Sequence, residues 1–113
     1  MQILQIDKEQ IPVSMQTFID GVQYTLTYRY NRTFDYFTVD LGIDSYPDYI
    51  PIISGEKLIL MKPLFTTLRA PFINTLFIPM DLSGKQDRLN YDNIGIYCFI
   101  YVFTRESEGA DFE

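Results

Sequence analysis

Hydrophobic and polar residues alternate with a period of two along most of this chain. The alternation is cleanest from Val22 to Tyr30. The residues on one side of this segment are Val22, Tyr24, Leu26, Tyr28 and Tyr30, and those on the other side are Gln23, Thr25, Thr27 and Arg29. This pattern is typical of β-strands that place one face on a core and the other in solvent. The main strands that it predicts are Ile11–Ile19, Val22–Tyr30, Thr33–Leu41 and Ile96–Phe103, with shorter ones at Lys57–Met61 and Thr75–Pro79.

Turn-forming residues separate these segments. Asp20-Gly21 is suited to a tight hairpin, because glycine adopts positive φ without strain. Ser54-Gly55-Glu56 predicts a turn, and Pro47 and Pro51 argue that 44–49 is a loop and not part of a central strand. Only Lys8–Gln10 and Leu64–Arg69 have the residues for a short helical turn.

These patterns predict an all-β fold, a small antiparallel barrel or sandwich built from hairpin and meander connections. The length of 113 residues suits one domain. We expect residues 1–103 to form a single β-barrel-like domain. Residues 104–113 contain four acidic residues and one basic residue, and we expect them to form a disordered acidic tail.

The predicted strand Ile96–Phe103 contains no charged residue, which indicates that both of its faces are covered. Ile96, Ile100 and Val102 lie on its aliphatic face, and Tyr97 and Tyr101 lie on its aromatic face. One interpretation is a central strand whose outer side is covered by a chain terminus. The other is that the aromatic face contacts another subunit, since Tyr and Phe are enriched in interface cores.

Charge and cysteine content exclude several classes of protein. The net charge is −6 and the basic residues are scattered, which disfavours nucleic acid as a ligand. No apolar run is long enough to span a membrane, and the first residues lack the features of a secretory signal. With a single cysteine, no intramolecular disulfide can form, so we expect the protein in a reducing cytoplasm or in a particle assembled there.

The residues offer little for catalysis. The chain has no histidine, which removes the commonest general base and the usual transition-metal ligand. Cys98 lies among apolar residues, where a thiol is inert. Asp81, Asp87 and Asp92 surround a Ser-Gly turn, but their spacing does not match a calcium loop. We interpret them as turn residues, with Asp87 or Asp92 also able to pair with Arg88. We therefore predict no enzymatic activity, no cofactor and no metal.

Several segments together resemble the small plug domain of contractile-tail bacteriophage baseplates, first seen in a cyanophage. Their order and spacing carry the resemblance, which covers nearly the whole chain except the acidic tail. The segments are Ile11-Pro12-Val13, Tyr30–Asp40, Gly55-Glu56-Lys57-Leu58, Pro63-Leu64, Ile78–Gly84 and Asn93-Ile94-Gly95.

The resemblance implies a structural virion protein, a plug at the centre of the tail baseplate that helps close the central channel. Its implied partners are the baseplate hub and tail tube proteins, with several copies around a symmetric channel. It implies assembly in the host bacterial cytoplasm. The acidic charge and the lack of a long apolar run, described above, predict no nucleic-acid specificity and no membrane association. Residues expected to shape structural turns are Gly21, Gly55, Asp81, Gly84, Asn93 and Gly95.

The large supply of tyrosine suggests where partners bind, because Tyr gives a large contact area at low entropic cost. The predicted interface residues are Tyr28, Tyr30, Tyr36, Tyr97 and Tyr101. An alternative function is a binding module with an OB-like barrel that takes a small ligand or an oligosaccharide on its Tyr-rich face. A glycosidase is the least favoured function, since only loop carboxylates are available to it.

Overall fold

The protein folds into two antiparallel sheets that stack as a sandwich and do not close into a barrel. The structure, a computed structural model, describes residues 2–19, 21–45, 48–66 and 75–104. A three-stranded sheet has the order β1-β7-β6, and a four-stranded sheet has the order β2-β3-β4-β5. The strands are β1 (Gln2–Leu4), β2 (Val13–Ile19), β3 (Val22–Asn31), β4 (Tyr36–Ser45), β5 (Asp48–Lys57), β6 (Thr75–Met80) and β7 (Phe99–Thr104). The all-β prediction is confirmed, and the sandwich is the alternative that fits.

The four-stranded sheet is a simple meander, of which the alternating pattern predicted the first three strands. Ile19 pairs with Val22 across a two-residue loop in which Gly21 has φ +79°. Alternate residues of β2 and β3 point inward in register, and Ile19, Leu26 and Tyr28 are buried. The start of β2 at Val13 and the start of β4 at Tyr36 both fall later than the predictions from the sequence.

The β5 strand contradicts the sequence prediction. Asp48–Lys57 is a ten-residue strand, whereas the pattern had predicted a loop, a turn around Gly55 and a later strand at Lys57–Met61. Pro51 is tolerated because β5 is an edge strand, where a missing N–H costs no ladder hydrogen bond.

Gly55 lies within a bulge of β5 and not in a hairpin turn. Two residues of β5, Ser54 and Gly55, oppose the single β4 residue Asp40. Gly55 has φ +69°, the left-handed conformation that glycine adopts without strain in such a bulge. Its N–H donates to the Asp40 carboxylate at 2.6 Å, and the other oxygen of that carboxylate lies 3.2 Å from Nε of Arg29.

The predicted strand Ile96–Phe103 begins three residues later, at Phe99. Ile96 and Tyr97 belong to a turn in which the carbonyl of Asn93 accepts hydrogen bonds from three successive N–H groups, those of residues 96 to 98. Both side chains are more than half exposed. The apolar composition of residues 96–98 therefore wrongly predicted a strand. In the structure the carbonyl of Asn93 accepts from the backbone N–H groups that a strand would bond to its neighbour.

The central position of β7 in its sheet agrees with the first interpretation of that segment. Ile100, Tyr101 and Val102 are all buried, so both faces of the strand are covered there. The N-terminal strand β1 pairs alongside β7 instead of crossing its outer side. The core lies between the sheets and includes residues of the loops as well as the strands. Its most deeply buried members are Leu26, Tyr28, Phe37, Val39, Leu41, Leu58, Phe77, Ile94, Cys98 and Ile100.

The two short helical predictions have different outcomes. Lys8–Gln10 is a single 3-10 turn, capped by the carboxylate of Asp7, which accepts from the N–H of Glu9 at 3.0 Å. At 64–66 the chain is not helical, and Leu64 instead bridges to Phe77, while 67–69 lie outside the described residues. Of the predicted acidic tail, only Thr104 is described, as the last residue of β7; 105–113 lie outside.

Candidate functional site at the turn end of the sandwich

One end of the sandwich brings together the turn between β3 and β4 and the long loop of residues 81–98, which we call the 81–98 loop. Asp35 stands at their junction and has φ +55°, a conformation in which Asp is among the better tolerated residues. Its Oδ1 accepts from the hydroxyl of Tyr30 at 2.8 Å and from the N–H of Tyr91 at 3.0 Å. One carboxylate therefore fixes the turn to the loop.

Arg88 ties the same two segments together from the other side. Its Nη1 lies 3.7 Å from Oδ2 of Asp35, and its Nη2 donates to the backbone carbonyls of Phe34 and Asp35. The sequence had suggested Asp87 or Asp92 as the partner of Arg88, but the ion pair is with Asp35. Because Arg presents several donors in one plane, it can hold a carboxylate and two carbonyls together.

An aromatic cluster lies beneath this polar junction. The ring of Tyr30 lies 4.7 Å from that of Phe37 and 5.2 Å from that of Tyr91, and Phe37 and Tyr91 are stacked at 6.4 Å. Lys8 covers the cluster: its Nζ lies 4.5 Å from the Tyr91 ring centroid and donates to the Tyr91 carbonyl at 2.7 Å. The 3-10 turn is thereby joined to the 81–98 loop.

Two polar residues organise the interior of the 81–98 loop. Both oxygens of Asp81 accept from the hydroxyl of Ser83, and they also accept from the N–H groups of residues 83, 85 and 86. The buried amide of Asn93 donates to Gln86 at 3.0 Å and to the carbonyl of Arg88 at 2.7 Å, and its oxygen accepts from the N–H of Asn90 at 2.8 Å. This loop is built from specific bonds, although it has no regular secondary structure.

The hydrogen bonds set the charge states at the junction. The hydroxyl of Tyr30 is the main cause that lowers the pKa of Asp35, and the N–H of Tyr91 and the charge of Arg88 add to it. The same bond to Asp35 raises the pKa of Tyr30. Hydrogen bonds from Ser83 and the loop backbone lower the pKa of Asp81. Asp35 and Asp81 are therefore fixed anions at neutral pH, whereas a general acid would need a raised pKa.

A shallow groove of about 770 Å³ opens beside the junction. Its lining combines charged residues of both signs with two tyrosines. The lining residues are Lys8, Glu9, Ile11, Tyr30, Arg32, Asp35, Tyr91 and Asp92. A mixed-charge surface with aromatic residues suits contact with a protein partner, because interface cores are rich in aromatic residues and their rims are polar.

The five predicted interface tyrosines occupy different environments. Tyr28 and Tyr101 are buried in the protein's own core, and burial raises the pKa of the Tyr28 hydroxyl. Their rings do not reach the surface of the single chain, so they do not offer the contact area for which they were proposed. Tyr30 and Tyr36 are half-buried, and Tyr97 is 54% exposed. Tyr97, Tyr30 and Tyr36 stay predictions as contact residues.

Most residues expected to shape turns lie where the backbone bends. Positive φ values occur at Gly21, Gly84 and Gly95, and Asp81 and Asn93 hold the 81–98 loop as described above. A Cβ on Gly95 would stand 3.0 Å from the backbone carbonyl of Ile6, so the loop packs closely on the N-terminal segment there. Gly55 differs, since it belongs to the bulge of β5.

Within the residues that the structure describes, no group of three or more Cys, Asp or Glu side chains is placed to hold a metal ion. Cys98 is buried, and desolvation, with a smaller effect of the Asp81 charge, raises the pKa of its thiol to about 11. A protonated, buried thiol is a core residue and not a nucleophile. In the same described ranges, no helix has the length and apolar character needed to cross a membrane.

Asp35 and Tyr91 were not singled out from the sequence, and Arg88 was named only as a partner of Asp87 or Asp92. Asp35 had a local signal, because Asp is common in turns and tolerates positive φ. Arg88 and Tyr91 had no local signal for their contacts with Asp35. Each is separated from Asp35 by more than fifty residues of chain, and the hydrophobic periodicity does not report contacts at that separation.

Comparison with known proteins supplies the context for this site. No curated protein and no solved structure matches the chain. The family model described as cyanophage baseplate Pam3 plug gp18 matches residues 1–106, which is nearly the whole of the 113-residue chain and includes the turn, the 81–98 loop and every strand described above. The chain therefore belongs to the family of the cyanophage baseplate plug gp18 of Pam3.

Proposed function

We propose that this protein is a non-enzymatic plug at the centre of a phage tail baseplate, where it binds the hub and the start of the tail tube and helps close the central channel. Several copies surround the channel axis, and they join the baseplate in the host bacterial cytoplasm. The observation that carries this proposal is the family match over residues 1–106.

The structure offers a physical basis for such a role. A plug must keep its shape under load, and the turn end of the sandwich is held by charged and hydrogen-bonded contacts between segments far apart in sequence. A network of this kind limits local opening, since several bonds must break together. The net charge of −6 also suits a channel wall that passes DNA, because it does not retain phosphate.

Exposed side chains of the loops are the proposed contact points with the hub. Phe34 is 70% exposed at the β3–β4 turn, and Tyr97 projects from the 81–98 loop. Large aromatic side chains that stay exposed on a rigid loop lose little entropy when a partner covers them.

The proposal can be tested with phage tails that lack this protein. Tails assembled without it are expected to let negative stain enter the channel at the baseplate end, whereas tails supplied with the wild-type protein should exclude stain there. Complete baseplates with a closed channel in the absence of the protein would overturn the plug role.

Binding to partners needs a separate measurement. The full chain, co-expressed with the hub protein of the same phage, is expected to co-purify with a tagged hub at a fixed ratio. If instead the protein bound none of the tail proteins but took up an oligosaccharide in the groove beside Tyr30 and Tyr91, a small-ligand binding module would replace the plug as the function.

A further inference from the structure

The four sheet edges of the described chain differ in how far they are protected. An exposed edge presents unpaired N–H and C=O groups that can pair with another chain, so proteins usually block it. The β1 edge is only three residues long. The β5 edge carries Pro51 and two register shifts. The β6 edge is covered, because the N–H groups of Met61 and Leu64 donate to the carbonyls of Pro79 and Phe77.

The β2 edge has none of these protections. Its seven residues, Val13–Ile19, contain no charge, no proline and no glycine. They pair with β3 without a bulge from Val13 opposite Tyr28 to Ile19 opposite Val22. No strand of the described residues lies on its other side. A straight, uncharged edge of this length is a template for a further strand.

The hairpin register fixes which backbone groups face outward. Because a two-residue loop separates Ile19 from Val22, these two residues form a hydrogen-bonded pair. Hydrogen bonding alternates along an antiparallel ladder, so Thr17, Met15 and Val13 also bond to β3. The backbone groups of Ser14 and Phe18, at the intervening positions, point away from β3 toward the open edge.

We propose that β2 pairs with β2 of a second copy of this chain, antiparallel about a two-fold axis at Gln16, and joins two four-stranded sheets into one of eight strands. This register places Ser14 opposite Phe18 of the second copy and Val13 opposite its Ile19. The inward apolar residues then continue one core face across the axis, and no charged side chains stand opposite each other. The interface is isologous, so it closes at two copies.

Phe18 supplies the side-chain part of the contact. It is 69% exposed in the single chain, a large apolar area for a strand residue beside polar neighbours. In the paired register its ring lies over Ser14 of the second copy, next to the hydrogen bond of 2.9 Å between the hydroxyls of Ser14 and Thr27. A flat aromatic ring that packs on a small polar residue buries apolar surface and does not bury a polar group without a partner.

The size of the contact predicts a weak dimer. Seven residues of strand span about 24 Å, and the shortest extent of the molecule is 22 Å. The patch is thus on the order of 500 Å² per copy and 1,000 Å² in total, near the lower limit for a specific interface. Each copy carries a net charge of −6, so the copies repel one another at low salt. The dimer is therefore strengthened by added salt.

Sedimentation velocity of the full chain over a range of concentrations tests the pairing. The wild type is expected to shift from 13.3 kDa toward twice that mass, more readily at higher salt. Phe18→Asp should raise the dissociation constant at least about tenfold, by loss of a hot-spot aromatic contact. Phe34→Asp is the matched control. It changes the same residue type at a closely similar exposed fraction, 70%, but away from β2, so it should leave the dissociation constant nearly unchanged.

A backbone substitution separates edge pairing from other contacts. Ser14→Pro removes an outward N–H and leaves the β2–β3 ladder intact, so the variant should stay folded and monomeric. Ser14→Ala loses the same hydroxyl but keeps the N–H, and should still dimerise. In hydrogen exchange, the amides of Ser14 and Phe18 should slow with concentration, whereas those of Met15 and Thr17 are protected throughout.

Two outcomes would overturn the pairing: a wild type that stays monomeric at high concentration and high salt, or a dimer that Ser14→Pro leaves intact. Neither outcome bears on the proposed plug role, because hub binding and channel closure are separate measurements that do not report on β2 pairing. Equally, a dimer that fails to bind the hub would leave the pairing standing and remove the plug.

Discussion

At the scale of single residues, similar side chains have different roles according to the surface they meet. Ile96 and Ile100 are four positions apart and were assigned to the same strand face, yet one is 55% exposed in a turn and the other is 1% exposed in β7. The same contrast separates Tyr97 from Tyr101. Sequence alternation assigns residues to faces correctly only where the strand exists.

This contrast gives the first prediction. Ile100→Asp should destabilise the fold by about 4 kcal/mol or more, because it buries a carboxylate without a partner and removes apolar contacts. That loss is comparable to the whole stability of a small domain, so the variant should be largely unfolded. Ile96→Asp makes the same chemical change at the surface and should alter stability by no more than about 0.5 kcal/mol. Urea unfolding followed by circular dichroism measures both; a stable Ile100→Asp variant would contradict the inward placement.

The second prediction concerns Asp35 and pH. Its folded pKa lies below the ordinary value of 3.8, chiefly because of the bond from Tyr30. The stability it contributes is therefore fully present above that ordinary value and is lost as the pH falls through the lower, folded pKa. Asp35→Asn should be less stable than wild type at neutral pH, and the difference should shrink as the pH falls below 3.8. Asn tolerates the same positive φ, so backbone strain does not explain the effect.

A matched control for that experiment is Asp87→Asn, which removes one negative charge from an exposed position of the 81–98 loop. It should follow the wild-type curve of stability against pH more closely than Asp35→Asn does. If the two variants gave the same curve, the junction of Asp35 with Tyr30 and Tyr91 would not contribute to acid sensitivity.

At the scale of elements, the first three strands of the meander were predictable and the edge strand β5 was not. The β2, β3 and β4 strands follow from alternation and from Gly21, since successive side chains along them alternate between the core and the solvent face. The β5 strand escaped prediction because its pairing with β4 includes two irregularities that break the period of two. Local rules describe a regular ladder, and a bulge is defined only by the partner strand.

The candidate site shows the same limit. Asp81 and Asn93 act within one loop, and their roles as turn residues follow from their local sequence. The junction of Asp35 with Arg88 and Tyr91 joins segments that only the packed sheets bring together. Contacts within a few residues were therefore open to prediction, and contacts between elements needed the structure.

A third prediction belongs to the β4–β5 pair. The hydroxyl end of Tyr49 lies over Gly42, in the space that a Cβ would occupy. Gly42→Ala should cost about 1 kcal/mol, because the ring must move aside. In a Tyr49→Ala background, the same substitution should be neutral or stabilising, since Ala is preferred to Gly in a strand when nothing obstructs it. A double-mutant cycle measured by thermal unfolding gives the coupling, and additive effects would show that the two residues do not interact.

At the scale of the whole molecule, the sandwich presents two kinds of surface for assembly. The β2 edge offers backbone groups for a second copy, and the turn end offers exposed aromatic side chains on a loop held by Asp81 and Asn93. In our proposals the β2 edge binds a second copy and the turn end binds the hub, and neither contact requires the other. A baseplate protein that must bind unlike partners benefits from this separation, because each contact can form without disturbing the other.

The last prediction tests the turn end as the surface that meets the hub. Tyr97→Ser should keep the melting temperature within a few degrees of wild type, because the side chain is 54% exposed, yet it should weaken co-purification with the hub. Tyr101→Ser removes the same ring from the core and should unfold the protein, so loss of binding in that variant carries no information about the surface. The informative comparison is therefore Tyr97→Ser with Phe18→Asp: the first should lose the hub and keep the dimer, and the second should keep the hub and lose the dimer. If Tyr97→Ser kept the hub and Phe18→Asp lost it, hub binding would depend on the dimer, and the contact surface would have to be sought along β2.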